Sequence, residues 1–183
     1  MRRSAEVRPV VTGKYWMGAG VGSIVTALEE MLTGAEREIH IVAYAISDGA
    51  GRLFQFLENR LRDGVRVTMI VQRIDQQHHN APALLKNLAA LYPCSFMLFD
   101  FTPEELETLH AKCIVVDRNR AFVGSANLSF NGLIRNHELG VVIEGAAAND
   151  LAGIIEQLQS HPNAHRVREP ISESPVLTSS TAD

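Results

Sequence analysis

The sequence predicts an α/β fold in which a mixed sheet, mainly parallel with antiparallel strands added, is flanked by helices on both faces. Three observations carry that expectation. Apolar runs of strand length alternate with segments of helical period along most of the chain. The run "VRVTMIVQ" at 65–72 is apolar without alternation, as a strand covered on both faces requires. The β-prone runs "HAKCIVVD" and "AFVGSAN" are separated only by "RNR", which places an antiparallel hairpin among strands otherwise joined through helices.

The elements follow in order. "EVRPVV" reads as a first strand, and "SIVTALEEMLTGA" sets Ile24, Val25, Leu28, Met31 and Leu32 on one helical face, with Gly34 as its stop. "EIHIVAYAIS" is the next strand. "AGRLFQFLENRLRDG" stacks Leu53, Phe54, Leu57 and Leu61 on a helix that ends at Gly64, and "VRVTMIVQ" is the buried strand after it. Pro82 opens a helix with Leu84, Leu85, Leu88 and Leu91 inward, Pro93 closes it, and "SFMLFDF" returns as a strand. After the hairpin, "NDLAGIIEQLQSHP" carries the stripe Leu151, Ile154, Ile155 and Leu158. Residues 1–161 are expected to form one domain and residues 162–183 a polar, disordered tail.

A chain of 183 residues with 46% hydrophobic content can bury a core without disulfide or metal staples. Cys94 and Cys113 lack metal-binding spacing and read as buried free thiols in a reducing, cytoplasmic compartment. "MRRSAEVRPVV" has no apolar run behind its arginines, and no stretch reaches the roughly 20 apolar residues of a membrane span, so no stable membrane association is expected. A net charge of −4 argues against coating nucleic acid through bulk electrostatics. Contact with a polyanion has to be local.

The hairpin carries the chemistry. Centred between Arg118 and Asn119, it sets Val116 opposite Ala121, Lys112 opposite Ser125 and His110 opposite Asn127, and opposed residues point to one side of a sheet. His110 and Lys112 share a face because strand side chains repeat every second residue. In that register imidazole, ammonium, hydroxyl and carboxamide converge. Lysine, asparagine and serine can bind phosphate oxygens while a neutral imidazole attacks the phosphorus.

His110-x-Lys112-x4-Asp117-x6-Gly124-Ser125-x-Asn127, with Glu138 downstream, resembles the HKD motif of the phospholipase D superfamily. The similarity covers about Val10 to Gln159, and the chain looks like the small single-motif bacterial members, among them nuclease-like dimers and proteins of antiphage systems such as DISARM. The resemblance implies a phospholipase D-like fold and a phosphodiesterase needing no metal or other cofactor. It implies that His110 forms a phosphohistidine in one copy and serves as acid and base in the other, so the site forms at the twofold axis of a homodimer. Lys112 and Asn127 would hold phosphate oxygens with help from Ser125, while Asp117 and Glu138 would orient or tune the basic groups.

Each residue also has a plainer explanation. An aspartate at the start of a turn bonds locally, so Asp117 serves the turn as readily as the site. Glu138 begins the strand "HELGVVIEG" and fits a solvated strand end, and His137 should face the other way. His40 reads as a core histidine. His78 and His79 lie in the polar loop "DQQHHN" without a third ligand. "GAGVGSIVT" lacks the lysine of a phosphate-binding loop. Arg118, Arg120 and Arg135 near the motif favour a nucleic-acid substrate, with Arg135 as a substrate contact. Asp100, Glu104, Glu105 and Glu107 before His110 oppose it, and "YWMGAG" is the one apolar candidate for a lipid surface. Nucleic-acid hydrolysis is therefore the first expectation and phospholipid hydrolysis or transphosphatidylation the second. The third is a defence-complex subunit that keeps the fold as a binding module.

Overall fold

A computed structural model describes residues 6–16, 18 and 20–168. Strands β1 (Glu6–Thr12), β2 (Gly22–Ser23), β3 (Glu38–Ala43), β4 (Arg66–Gln72), β5 (Phe96–Phe101), β6 (Cys113–Val116), β7 (Arg120–Gly124), β8 (Glu138–Glu144) and β9 (Ala164–Arg166) form one sheet, in the order β2-β1-β8-β7-β6-β3-β4-β5-β9. The helices are α1 (Ile24–Thr33), α2 (Gly51–Arg62), α3 (Ala81–Leu91) and α4 (Ala146–Gln159). β3, β4 and β5 run parallel, and α2 and α3 supply the crossovers that parallel neighbours require. β6, β7, β8 and β1 continue the sheet antiparallel to one another.

Both faces are covered. α1, α2 and α3 bury Leu28, Leu57 and Leu85 against Ile41, Met69, Ile114 and Phe122. α4 covers the other face through Ala148, Ala152 and Ile155, packed on Val42, Ile70, Val115 and Ala121. Met69 and Ile70, neighbours on β4, are both fully buried, which is why that strand carries apolar residues without alternation.

Five expectations change. The hairpin is one residue tighter, with Val116 opposite Arg120 and Val115 opposite Ala121. Asp117 and Arg118 both take left-handed backbone, at φ 52° and 55°, and Asn119 N–H closes the turn onto Val116 O at 3.0 Å. Two such residues in succession turn the chain earlier than the polar spacing suggests. Cys94 sits in the turn before β5 and is exposed, whereas Cys113 is buried. Leu91, in the last turn of α3, projects into solvent. α4 is rotated so that its small residues face the sheet, leaving Ile154 exposed and Leu151 and Leu158 half-buried. The start of the expected tail instead forms β9, whose Ala164–Arg166 pair with Phe101–Phe99 and cover the open edge of β5. Residues 169–183 of that tail, and Met17 and Ala19 of "YWMGAG", lie outside the described residues.

Candidate active site

The strand directions bring His110, Lys112, Ser125, Asn127 and Glu138, but not Asp117, to one end of the sheet. β3, β4, β5 and β7 end, and β6 and β8 begin, at the same edge of the sheet. The segment after β3 carries Tyr44, the end of β4 carries Gln72 and Arg73, the approach to β6 carries His110 and Lys112, and Ser125 to Asn127 follow β7. Leu128 N–H donates to Ala45 O at 3.1 Å and Ser47 N–H to Leu128 O at 2.9 Å, tying the segment after β7 to the segment after β3. Ligand sites in open α/β sheets collect at such carboxyl ends.

His110 is exposed, and its ring rests 4.6 Å from that of Tyr44 at 60°. Lys112 is 8% exposed, donates through Nζ to His110 O at 2.8 Å, and lies 4.9 Å from the centre of the Tyr44 ring. Burial lowers the Lys112 ammonium from the usual lysine range, and the negative charge of Glu138 opposes that shift. A cation so held is stabilised further when a phosphate arrives. Such a buried point charge is suited to pairing with an anion.

Ser125 enters the site by a route the hairpin register did not foresee. With Lys112 O accepting from Gly124 N–H at 3.3 Å, Ser125 lies beyond the β6 to β7 ladder and bonds instead to β8, its N–H donating to Leu139 O at 3.0 Å. Glycines make the approach close enough. A Cβ on Gly124 would meet Gly140 Cα at 2.9 Å and Leu139 O at 2.9 Å, and one on Gly140 would collide with the Phe122 ring. The Ser125 hydroxyl donates to Glu138 Oε2 and accepts from Leu139 N–H at 3.2 Å, and Asn136 Nδ2 donates to Glu138 Oε1 at 3.0 Å. The Ser125 proton is thus committed to Glu138, so the hydroxyl orients that carboxylate before it can serve a phosphate. Asn127 Oδ1 is buried without a hydrogen-bond partner among the described residues, leaving that end of the carboxamide unused by the fold.

Other expected residues lie elsewhere. Asp117 is at the hairpin tip, the opposite end of β6 from Lys112, where its carboxylate accepts backbone N–H groups of Glu36, Arg37 and Glu38 at 2.9, 2.8 and 2.9 Å. It fixes the turn to the start of β3. Arg118 and Arg120 share that end: Arg118 pairs with Glu38 at 2.6 Å and with Glu156, and Arg120 pairs with Glu144 at 3.1 Å. Strand length removes all three from the neighbourhood of His110. Arg135 is exposed at the end of the turn Asn131–Arg135, on the site side of β8. His40 is a buried core residue, 3.5 Å from Glu38 Oε1. His137 packs edge-on against Trp16, and the rings of His78 and His79 touch each other at 3.7 Å. Among the described residues, no group of three or more His, Cys, Asp or Glu side chains is placed to hold a metal ion.

Tyr44, Gln72 and Asn136 also belong to the site, and nothing in the local sequence distinguishes them. Gln72 Oε1 accepts Leu109 N–H at 2.5 Å and so anchors the residue before His110. Gln72 ends β4, Tyr44 follows the end of β3 and Asn136 comes shortly before β8 begins; nearness to a strand terminus is the one signal that marks them, and strand order has to be known before it can be used.

A family model described as cardiolipin synthase, PLD-like domain matches residues 28–161. The DISARM protein DrmC of Bacillus paralicheniformis is 31% identical over 123 residues, covering 66% of this chain and 50% of that protein. The chain thus spans about half the length of this curated relative. Among solved structures, Nuc of Salmonella typhimurium, a phospholipase D family member, superposes with a TM-score of 0.72 at 18% identity over 91% of this chain and all of its own. NucT from Helicobacter pylori gives 0.70 at 15% identity over 90% of this chain and all of its own. Phosphatidylserine synthase of Haemophilus influenzae gives 0.65 at 16% identity, over 96% of this chain and 44% of its own. These structures share the fold, and the family match, which runs through the hairpin and from β3 to α4, establishes that the chain belongs to the PLD-like domain family.

Proposed function

We propose that the protein is a phosphodiesterase acting on nucleic acid through a phosphohistidine on His110. The carrying observation is an exposed imidazole beside a buried ammonium, with Lys112 hydrogen-bonded to the backbone of His110 itself at 2.8 Å. A phosphate drawn to Lys112 is delivered to the nucleophile. A neutral His110 nitrogen attacks phosphorus, the P–N bond forms as the P–O bond to the leaving group breaks, and a second, protonated imidazole gives its proton to the departing oxygen. That imidazole then takes a proton from water, whose oxygen attacks phosphorus and breaks the P–N bond. Lys112 offsets the charge on the non-bridging oxygens throughout, with Asn127 and Arg135 within the same end of the sheet to assist.

The second imidazole is assigned to His110 of another copy of the chain. An apolar surface beside the site supports this: a cavity of about 260 Å³ is lined by His110, Lys112, Val123, Leu151, Ile154 and Leu158, and Leu139 stands exposed nearby on β8. Interface cores are built from such patches. Mixing equal wild-type and His110→Ala protein to full subunit exchange should leave about a quarter of the all-wild-type activity, since only unmixed wild-type dimers keep both imidazoles. Half would point to independent sites.

The same cavity favours phosphatidyl hydrolysis or transfer as the second reading, because its apolar wall could take an acyl chain. Single-stranded DNA, duplex DNA, RNA and phosphatidylcholine vesicles, each incubated with the protein in excess EDTA, separate these readings. Cleavage of nucleic acid is expected. Turnover of lipid alone would favour the second reading, and no turnover of any substrate would favour a binding subunit of a defence complex.

A further inference from the structure

We infer that a polar cleft beside His110 binds the phosphate adjacent to the scissile one in a polynucleotide strand, with Arg73 as its cation; this rests on the nucleic-acid reading above. The cleft has a volume of about 210 Å³ and is lined by Tyr44, Ile46, Gln72, Arg73, Gln76 and His78. It adjoins the reaction centre through two contacts. Tyr44 forms its wall and also touches the rings and charges of the site, 4.6 Å from His110 and 4.9 Å from Lys112 Nζ. Gln72, the residue before Arg73, accepts the N–H of Leu109, the residue before His110, at 2.5 Å. Arg73 and His110 therefore flank one hydrogen bond.

The cation is uncommitted. Arg73 is half-buried and has no carboxylate partner among the described residues; its one side-chain bond runs from Nη2 to Pro103 O at 3.2 Å. The carboxylate of Asp100, close by in the chain pairing, is engaged by Ile74 N–H at 2.9 Å. A partly desolvated guanidinium with free donors is matched to a phosphate. The loop that presents it is also held under strain. Arg73 has φ 46° and His79 φ 50°, and Gln77 pins the segment between them, donating to Tyr44 O and Gln72 O at 3.1 and 2.5 Å and accepting from Ile46 N–H at 2.7 Å. Non-glycine residues persist in left-handed backbone where the surroundings over-determine them, and such positions gather at ligand sites.

The size of the cleft limits its occupant. It falls below the roughly 300–1,000 Å³ of pockets that enclose drug-sized ligands, so it takes a phosphate with part of a sugar. A phospholipid diester offers one phosphate; a polynucleotide offers the next one along. Glu104, Glu105 and Glu107 line the exposed loop nearby and act against a polyanion, but they stand in solvent where salt screens them.

The test compares a dinucleoside monophosphate, which has only the scissile phosphate, with a short single-stranded oligonucleotide. Wild type should prefer the oligonucleotide in kcat/KM by roughly 10- to 100-fold, the range of one charge-assisted contact. Arg73→Gln should bring the two substrates near parity, Arg73→Lys should keep part of the preference, and the slope of log affinity against log salt should fall by roughly 0.7 in the glutamine variant. Equal losses on both substrates would mean that Arg73 merely holds the loop, and an unchanged preference would mean that it meets no phosphate. Either outcome overturns the inference while leaving the nuclease reading intact. Failure of wild type to cleave either substrate overturns both.

Discussion

Replacing Asp117 should unfold the protein more easily without touching its chemistry. Asp117 Oδ1 accepts the N–H groups of Arg37 and Glu38, and Oδ2 accepts that of Glu36. At about 1 kcal/mol for each bond in this solvent-facing position, Asp117→Ala forfeits about 3 kcal/mol. It forfeits about 1 kcal/mol more because alanine tolerates φ 52° less well than aspartate. Asp117→Asn keeps an oxygen for the two bonds at Oδ1 and should lose only about 1 kcal/mol. For a domain of this size, 1 kcal/mol lowers Tm by about 2–4 °C, so the alanine variant should melt roughly 8–16 °C below wild type and the asparagine variant roughly 2–4 °C below. Thermal denaturation followed by circular dichroism, with kcat measured well below both midpoints, checks this. The structural assignment predicts kcat within about twofold of wild type in both. A hundredfold fall in kcat with an unchanged Tm would place Asp117 in the catalytic machinery and rule out a purely structural role.

Other consequences concern ionisation and access. Burial alone would raise the Glu38 carboxyl, but hydrogen bonds from Arg66 and Arg118 outweigh it and hold the group below its ordinary 4.5. That contribution to stability is present above about pH 4.5 and is lost as pH falls through the lowered value; chemical denaturation across this window should show a steeper loss in wild type than in Glu38→Gln. Lys112 has the opposite sign, since burial of its charge costs stability, in full below its lowered pKa and progressively less as pH climbs from there to the ordinary lysine value. Lys112→Met should therefore abolish turnover yet melt no more than about 4 °C below wild type at pH 7, and a larger drop would show that the ammonium holds the fold together. Burial pushes the Cys113 thiol up to about 12, whereas Cys94 is exposed. Mass spectrometry after iodoacetamide should find Cys94 modified in the native protein and Cys113 only after denaturation.

How far the sequence could be read depended on the range of each signal. Periodicity marked α2 and β4 well, because Leu53, Leu57 and Leu61 repeat at helical spacing and β4 is covered on both faces. His110 and Lys112 stood out because their spacing is local and their chemistry specific. The hairpin register did not, since two consecutive left-handed residues at 117 and 118 leave no mark in a hydrophobic pattern, and a slip of one residue exchanges the faces. Arg118 and Arg120 misled through nearness along the chain. Roughly 3.3 Å of strand per residue carries the hairpin tip away from the site, while Tyr44, far off in sequence, follows the end of the neighbouring strand and packs on the His110 ring. The α4 stripe misled in a related way: its leucines and isoleucines define a wider face than the sheet can cover, and Ile154 is left facing outward beside the site.

A phosphoryl group carried on His110 during turnover can be observed directly. Wild-type protein turning over a phosphodiester is quenched in alkaline denaturant, which preserves a phosphoramidate, then digested and sequenced by mass spectrometry, with His110→Ala as control. A phosphate-bearing adduct is expected on His110, stable in alkali and released by acid, and none in the variant. An adduct on Ser125, or a pre-steady-state burst of product with no modified residue, would contradict it.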